Sequence, residues 1–321
     1  MKLKSLWNGF WFAPAPYLDL AVLRIVAVAT QLFYMVNEQF SDLEYVYNLP
    51  HSVYRPLPLL WLFVWPHGFV DPPASQVVFA VWGLCLLCGF AGLLGLLTNV
   101  TLVIFALGCL FLQTFVFSFQ QYHHPEAILL LALLAVAFGP SGRVLSLDSL
   151  WRKRNGGPVR WVRLPTYSGV YAGWPVRFVQ CLFPLIYLSA AIAKLAWNHY
   201  TLDWANGFTL QYYLIQDHIR KDVPLAWWAS QFHYPILLSQ YVVLFYQCTY
   251  WVVVPWARLR WIYLPLGLAF HLANYLVLDA PFPQWIVLLC VYVPWSAALL
   301  RFANSEIAVP TAPAERAPAP E

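Results

Sequence analysis

The residues of this chain that could do chemistry are few, and they lie in long apolar segments. Lys194 lies near the end of one such segment, in the run YLSAAIAKLAWNHY. A charge at the centre of a bilayer costs at least ~2.5–3.5 kcal/mol, so ionisable groups in such segments are candidates for function. Burial disfavours the charged form of lysine, and a neutral amine can act as a general base. The alternative is that the ammonium extends to the membrane surface.

Three histidines and an asparagine are further candidates. His123 and His124 precede Pro125, which suits the first turn of a helix. They could serve a reaction or simply anchor a helix at the membrane surface. His271 lies near the middle of an apolar segment, and Asn274 shares its helical face. This pair could line a cavity or form hydrogen bonds between helices.

A second group of charged residues is interpreted as structural. Arg24 lies about two turns inside the first apolar segment, and its side chain is expected to reach back to the inner surface. Asp19 lies in the first turn of the same helix, where a carboxylate complements the helix dipole. Asp148, in the run SLDSLWR, is expected to cap a helix or pair with Arg24. Gln247, within a later apolar segment, is also interpreted as structural.

The cysteines do not indicate a metal or redox site. All six lie in apolar segments, where cysteine is a small packing residue. Cys85 and Cys88 have C-x-x-C spacing, but within a helix this spacing is weak evidence for redox chemistry. The sequence contains no zinc-type cluster, so no metal is predicted.

The composition indicates which elements must position these residues. Of 321 residues, 61% are hydrophobic and only 10% are charged, and the mean hydropathy is +0.61. A soluble domain has roughly 25% charged residues, so a water-soluble enzyme is excluded. No stripe of basic residues appears, and nucleic acid is therefore excluded as a partner. The predicted fold class is an all-α polytopic membrane protein surrounded by membrane lipid.

The apolar segments predict about eight transmembrane helices, since a span needs about 20 mostly apolar residues. The predicted spans are 17–36, 75–98, 100–119, 126–140, 175–196, 235–256, 262–279 and 282–300. The stretch 57–66 is too short to span and is predicted to be interfacial or re-entrant. Three regions result: an interfacial segment 1–13, a transmembrane domain 14–303 and a disordered cytoplasmic tail 304–321.

The basic residues predict the orientation. With the amino terminus inside, eleven basic residues lie on the inner side: Lys2, Lys4, Arg143, Arg152, Lys153, Arg154, Arg160, Arg163, Arg258, Arg260 and Arg301. Only three lie on the outer side: Arg55, Arg220 and Lys221. The positive-inside rule then predicts cytoplasmic termini in the cell (plasma or inner) membrane. Lys194 and the two adjacent histidines lie on the outer side in this topology.

Four stretches, in their order and spacing, resemble one family. They are Arg24-Ile25, the histidine-headed segment that ends in Ser146-Leu147-Asp148, Lys194-Leu195 followed by Trp204-x-x-Gly207 and Tyr212-Tyr213, and Phe270-His271. Over roughly residues 15–300 the chain resembles the horizontally transferred transmembrane (HTTM) domain family, which includes the vitamin K-dependent γ-glutamyl carboxylase.

The resemblance implies a carboxylase-like lyase site that uses a quinol. The cofactor would be a reduced vitamin K or menaquinol-type quinol, with dioxygen and carbon dioxide as co-substrates. Lys194 matches the lysine base, and His124 matches the histidine that supports the carbanion step. The predicted pocket candidates are His123, Trp204, Gly207, His271 and Asn274.

Two departures limit what the resemblance implies. The gap between Lys194 and Trp204 is longer than in the carboxylase, and the large exoplasmic region that binds peptide substrates is expected to be missing. We therefore expect a quinol-dependent oxidative site rather than the full peptide reaction. The alternative is a non-catalytic quinone- or lipid-binding membrane protein or accessory subunit. A transporter is disfavoured because broken helices do not recur in corresponding halves.

Overall fold

The computed structural model describes residues 2–60, 63, 71–120, 125–154, 167–197 and 199–307, and this part of the chain is almost entirely helical. Its α-helices are α1 (Lys2–Trp11), α2 (Tyr17–Tyr34), α3 (Phe40–Tyr47), α4 (Ser75–Leu94), α5 (Thr98–Phe117), α6 (Pro125–Phe138), α7 (Leu147–Arg154), α8 (Gly173–Ala196), α9 (Phe208–Lys221), α10 (Pro224–Ser230), α11 (His233–Thr249), α12 (Arg260–Leu278), α13 (Pro283–Leu288) and α14 (Trp295–Ile307). Two short strands, β1 (Ala15–Pro16) and β2 (Ser168–Gly169), pair antiparallel.

Within the described residues, six helical stretches are long and apolar enough to cross a membrane. They are Tyr17–Tyr47, Ser75–Leu94, Thr98–Phe117, Val170–Ala196, His233–Val253 and Ala257–Leu278. In the first, a π-helical segment, Met35–Gln39, joins α2 to α3. Long side chains on the outer faces, such as Leu87, are exposed, as lipid-facing residues must be. The prediction of a multi-pass helical membrane protein is confirmed.

The predicted number of eight spans is not confirmed. The fourth predicted span corresponds to the short apolar helix Glu126–Phe138. At 1.5 Å per residue, that helix covers roughly 20 Å, less than the ~30 Å hydrocarbon core. The eighth corresponds to two helices, Pro283–Tyr292 and Trp295–Arg301, which meet at a 63° bend. Length and composition therefore support six spans, or seven if the bent pair counts as one.

The core surrounds α2, which packs against α4, α6, α8 and α13. A Cβ added at Gly108 on α5 would lie 2.2 Å from the Cys85 sulfur on α4, so these two helices approach closely at a small residue. All six cysteines are free thiols. Cys85 thus packs against a neighbouring helix, as expected of cysteine in a span.

The expectation that Arg24 reaches the inner surface is wrong. Arg24 is 0% exposed, and its guanidinium donates to the carbonyl oxygens of Ser141 (3.0 Å) and Leu145. Among the described residues Arg24 forms no ion pair with Asp148, so the expected pairing is wrong as well. The loop between α6 and α7 folds over α2 and supplies carbonyl acceptors, which compensate the buried charge of Arg24.

Asp148 instead caps the start of α5. A helix cap was one of the two roles expected for it from the sequence. Its carboxylate accepts hydrogen bonds from the backbone nitrogens of Leu97 (2.8 Å) and Thr98 (2.7 Å) and from the Thr98 hydroxyl (2.6 Å). Partial burial alone would raise the pKa of Asp148, but these hydrogen bonds and nearby Arg152 lower it below its usual value. Asp148 thus holds α7 against the start of α5.

Asp19 lies apart from this group and stabilises a different helix. Its carboxylate accepts a hydrogen bond from the backbone nitrogen of Ser296 (2.9 Å) at the start of α14. The charge therefore complements the amino terminus of α14 as well as that of its own helix. The predicted grouping of Asp19 with Arg24 and Asp148 is replaced by two separate contacts.

The ends of the chain are described in part. The amino-terminal segment forms α1, whose residues from Lys4 onward are largely exposed, as a short interfacial helix would be. Helix α14 continues to Ile307, and residues 308–321 of the predicted tail lie outside the described residues. In the predicted interfacial stretch, Pro58–Leu60 forms a 3-10 turn, while residues 61–62 and 64–66 lie outside the described part.

Candidate functional site

A cavity of about 330 Å³ lies among α8, α9, α11, α12 and α13, and we call it the lysine cavity. Its volume is at the lower end of the range of ~300–1,000 Å³ found for small-molecule sites. Four of the predicted site residues line it together: Lys194, Trp204, His271 and Asn274. Most of its remaining lining is apolar or aromatic and includes Ile186, Tyr187, Phe270, Phe282 and Trp285. Residues far apart in sequence thus converge on one site.

Lys194 lies in the last turn of α8, with its amine held at the cavity. Its Nζ donates to the side-chain oxygen of Gln247 (3.1 Å) and to the carbonyl oxygen of Ala190 (3.3 Å). The same nitrogen lies 5.2 Å from the ring centroid of Trp204. An ammonium in this position gains two hydrogen bonds and a cation–π interaction. These contacts orient the amine within the cavity.

The turn from Trp204 to Gly207 is held by one side chain of α11. Gln240 is 0% exposed; it donates to the Trp204 carbonyl (2.6 Å) and accepts from the Gly207 backbone nitrogen (2.7 Å). Gly207 has φ +86°, and a Cβ there would lie 2.4 Å from the His233 ring. Only glycine fits this conformation and this space. Gly207 does not line the cavity but positions the indole that does.

His271 lies on α12 at the apolar side of the cavity and is 2% exposed. Its Nε2 shares a hydrogen bond of 2.9 Å with the Tyr187 hydroxyl. The rings of Phe282 and Trp285 lie within 6 Å of the imidazole, centroid to centroid. The buried Nδ1 of His271 has no hydrogen-bond partner among the described residues. Asn274, one turn further along α12, also borders the cavity.

Three contributors to the site were missed by sequence reasoning. Gln247 was interpreted as structural, although it contacts Lys194, and neither Gln240 nor Tyr187 was a candidate. A signal existed for the glutamines, because residues seven apart share one face of a helix. Two amides on one face of an apolar span indicate a polar partner. Tyr187 carried no comparable signal among 19 tyrosines.

Two predicted residues cannot be placed. His123 and His124 lie outside the described residues. Among the residues that are described, no group of three or more histidines, cysteines or acidic residues could hold a metal ion.

The geometry of the lysine cavity suits a flat apolar ring with polar groups at both ends. Lys194 and Tyr187 are seven residues apart on α8, which separates their backbone positions by roughly 10 Å along the helix. One end thus offers an amine and an amide, and the other offers a phenol and an imidazole. Aromatic rings border both ends, with Trp204 beside Lys194 and Trp285 beside His271. Such a site binds by apolar contact and orients its ligand by a few hydrogen bonds.

By fold and site, the chain is a polytopic helical membrane protein with a mostly apolar cavity among its helices. No protein-family model, curated protein or solved structure matches it. The similarity to the HTTM family therefore stays a prediction from the sequence motifs.

Proposed function

We propose that this chain is an HTTM-type protein of the cell membrane that binds a reduced quinone of the vitamin K or menaquinol type. Lys194 in this proposal removes a proton from a bound ring hydroxyl. The observation that supports the proposal is the position of the Lys194 amine at a cavity lined by aromatic rings, among helices long and apolar enough to span a membrane. With the amino terminus cytoplasmic, as the basic residues predict, and with the short helix α6 returning the chain to the end of the bundle where α5 and α8 begin, this cavity lies toward the outer side.

The residues present fit a quinol. A hydroquinone ring is flat and apolar and carries oxygen atoms at opposite positions, and the cavity offers polar groups at two ends. The buried Nδ1 of His271 needs a partner that the described residues do not supply, and a ring oxygen could provide it. An isoprenoid chain could leave between helices into the lipid.

The roles of the side chains follow from their contacts. The Lys194 amine accepts the proton, and the acceptors Gln247 and Ala190 then stabilise the ammonium that forms. The Trp204 ring adds a cation–π contact to the same charged state. The bound quinol supplies the acidic hydroxyl and the electrons that would reduce dioxygen. Carbon dioxide would serve as the third substrate if the carboxylase-like step follows.

The hydrogen bonds of Lys194 also favour a second candidate function. In this function the chain binds a quinone or lipid without turnover. Two acceptors already surround Lys194 in the absence of ligand, and they stabilise the ammonium form. A lysine that stays charged would orient a ligand oxygen but would not act as a base. The two candidates therefore share a ligand and differ in whether Lys194 loses its proton.

Quinol oxidation by the purified protein in detergent, with and without dioxygen, separates these candidates. We expect oxygen-dependent turnover in the wild type, and no turnover in either Lys194→Ala or Lys194→Arg. Arginine retains the charge but cannot lose its proton in the physiological range. Lys4→Arg is the matched control, because Lys4 is an exposed lysine on α1 that does not line the cavity.

Quinone binding, measured by quenching of tryptophan fluorescence, gives the second readout. Turnover in Lys194→Arg at the wild-type rate would eliminate the lysine base. Binding without turnover in the wild type would establish the second candidate. If quinone does not bind at all, the quinol-oxidising protein and the quinone-binding protein are both eliminated.

The orientation has a separate test. Single cysteines placed in the segment 155–166 of a variant lacking native cysteines should resist a membrane-impermeant thiol reagent in intact cells. Labelling from outside would reverse the proposed topology and place the lysine cavity on the inner side.

A further inference from the structure

A second cavity, of about 350 Å³, lies at the opposite end of α8 from Lys194, and we call it the arginine cavity. Its lining comes from the start of α5, the loop between α6 and α7, α7 itself and the start of α8. These are helix ends at the boundary of the apolar spans. In a bilayer this level holds the phosphate groups of the lipids.

Two arginines give the arginine cavity its charge. Arg152 lines it and is oriented by a hydrogen bond from its guanidinium to the Gly142 carbonyl. Arg143 is exposed at the same cavity, and its guanidinium has no hydrogen-bond or ion-pair partner among the described residues. Arginine presents a planar set of donors that matches phosphate oxygens. The two side chains can therefore approach one anion from different directions.

The single acidic residue of the lining does not neutralise the pair. Both carboxylate oxygens of Asp148 already accept hydrogen bonds, from Leu97 and from Thr98. Two arginines and one carboxylate leave a net positive charge at the cavity. Arg24, buried behind the same loop through its bond to the Ser141 carbonyl, adds a further positive charge.

Exposed aromatic side chains also border the arginine cavity. Tyr171 is 68% exposed and Phe138 is 63% exposed, and both line the cavity with the half-buried Trp174. Tyrosine and tryptophan are typical of the membrane interface, where one part of the ring contacts acyl chains and another contacts water. A positively charged site beside an exposed aromatic surface suits a molecule with an anionic head and an apolar tail.

We propose that the arginine cavity binds the phosphate group of an anionic phospholipid, with Arg143 and Arg152 on the phosphate and the acyl chains against Phe138 and Tyr171. Basic pockets between transmembrane helices are known to accept lipid headgroups in this way. A free phosphate ion shares the anionic chemistry but not the apolar part. The two sources therefore differ in whether an acyl chain is needed.

Native mass spectrometry of the delipidated full-length protein tests this proposal, with phosphatidylglycerol and phosphatidylcholine added in turn. We expect phosphatidylglycerol to bind at least about tenfold more tightly. Arg143→Gln should weaken that binding roughly fivefold, since one arginine near anionic lipid contributes about that factor. Arg143→Lys should restore most of it. Arg258→Gln, an exposed arginine assigned to the same membrane side, should bind within about twofold of the wild type.

Equal effects of Arg143→Gln and Arg258→Gln would overturn the site, because they would reflect net charge alone. Equal binding of the two lipids would overturn it as well. Millimolar inorganic phosphate should not displace phosphatidylglycerol. Displacement at the same apparent affinity would instead assign the cavity to a soluble anion and overturn the lipid proposal.

Discussion

Replacement of Arg24 gives a direct test of how α2 is held to the loop between α6 and α7. The buried guanidinium donates to two carbonyl oxygens, of Ser141 and Leu145, which lie more than 100 residues away in sequence. A lysine ammonium on a shorter stem can reach one of these carbonyls but lacks the planar fork that serves both. A charge-assisted hydrogen bond contributes about 1.5–3 kcal/mol. Arg24→Lys should therefore destabilise the protein by about 2 kcal/mol.

Thermal unfolding in detergent measures this loss. A thiol-reactive dye can report unfolding, because the free thiols of Cys85, Cys88 and Cys109 are buried in the folded chain. At roughly 2–4 °C per kcal/mol, Arg24→Lys should lower the unfolding temperature by roughly 4–8 °C. Arg258→Lys, at an exposed arginine, should leave it unchanged. An Arg24→Lys protein that unfolds at the wild-type temperature would refute the fork-like role of the guanidinium.

Three further perturbations follow from the contacts. Gly207→Ala should lower the free energy of unfolding by about 2–3 kcal/mol and weaken quinone binding, because the residue has φ +86° and faces the His233 ring. The control Gly83→Ala has open space around the added methyl group and should not destabilise the protein. Equal unfolding temperatures for the two variants would contradict this prediction. Because the pKa of Asp148 is lowered in the folded protein, its contribution to stability should be full above about pH 4 and be lost as the pH falls through the folded-state pKa. The difference in unfolding temperature between wild type and Asp148→Asn should therefore shrink between pH 6 and pH 3. A difference that stays constant over this range would contradict the capping role of the carboxylate. His271→Phe preserves ring packing but removes the hydrogen bond to Tyr187. Titration of the folded variant with quinone should therefore show a five- to tenfold weaker affinity than the wild type. An unchanged affinity would show that His271 is not part of the ligand site.

The sequence alone determined that this chain crosses a membrane several times as helices. Spanning requires only a local property, about 20 consecutive apolar residues whose backbone groups bond within one helix. The capping of α5 by Asp148 is different, because the partners Leu97 and Thr98 lie about 50 residues earlier in the chain and only the tertiary structure brings them to the carboxylate. The candidates Lys194, His271 and Asn274 were also visible from sequence, because ionisable and polar groups in apolar segments are costly wherever the chain folds.

The tertiary structure decided which of these groups meet. The lysine cavity joins Lys194 on α8 to Gln247 on α11 and to His271 on α12, and no spacing in the sequence specifies that arrangement. The same holds for Arg24, whose surface location was predicted from its depth in one helix. Its actual partners come from a loop that folds back over that helix, and only packing of the whole bundle brings those carbonyls within reach. The cost of burying a charge is set locally, whereas the groups that compensate it are set by long-range packing.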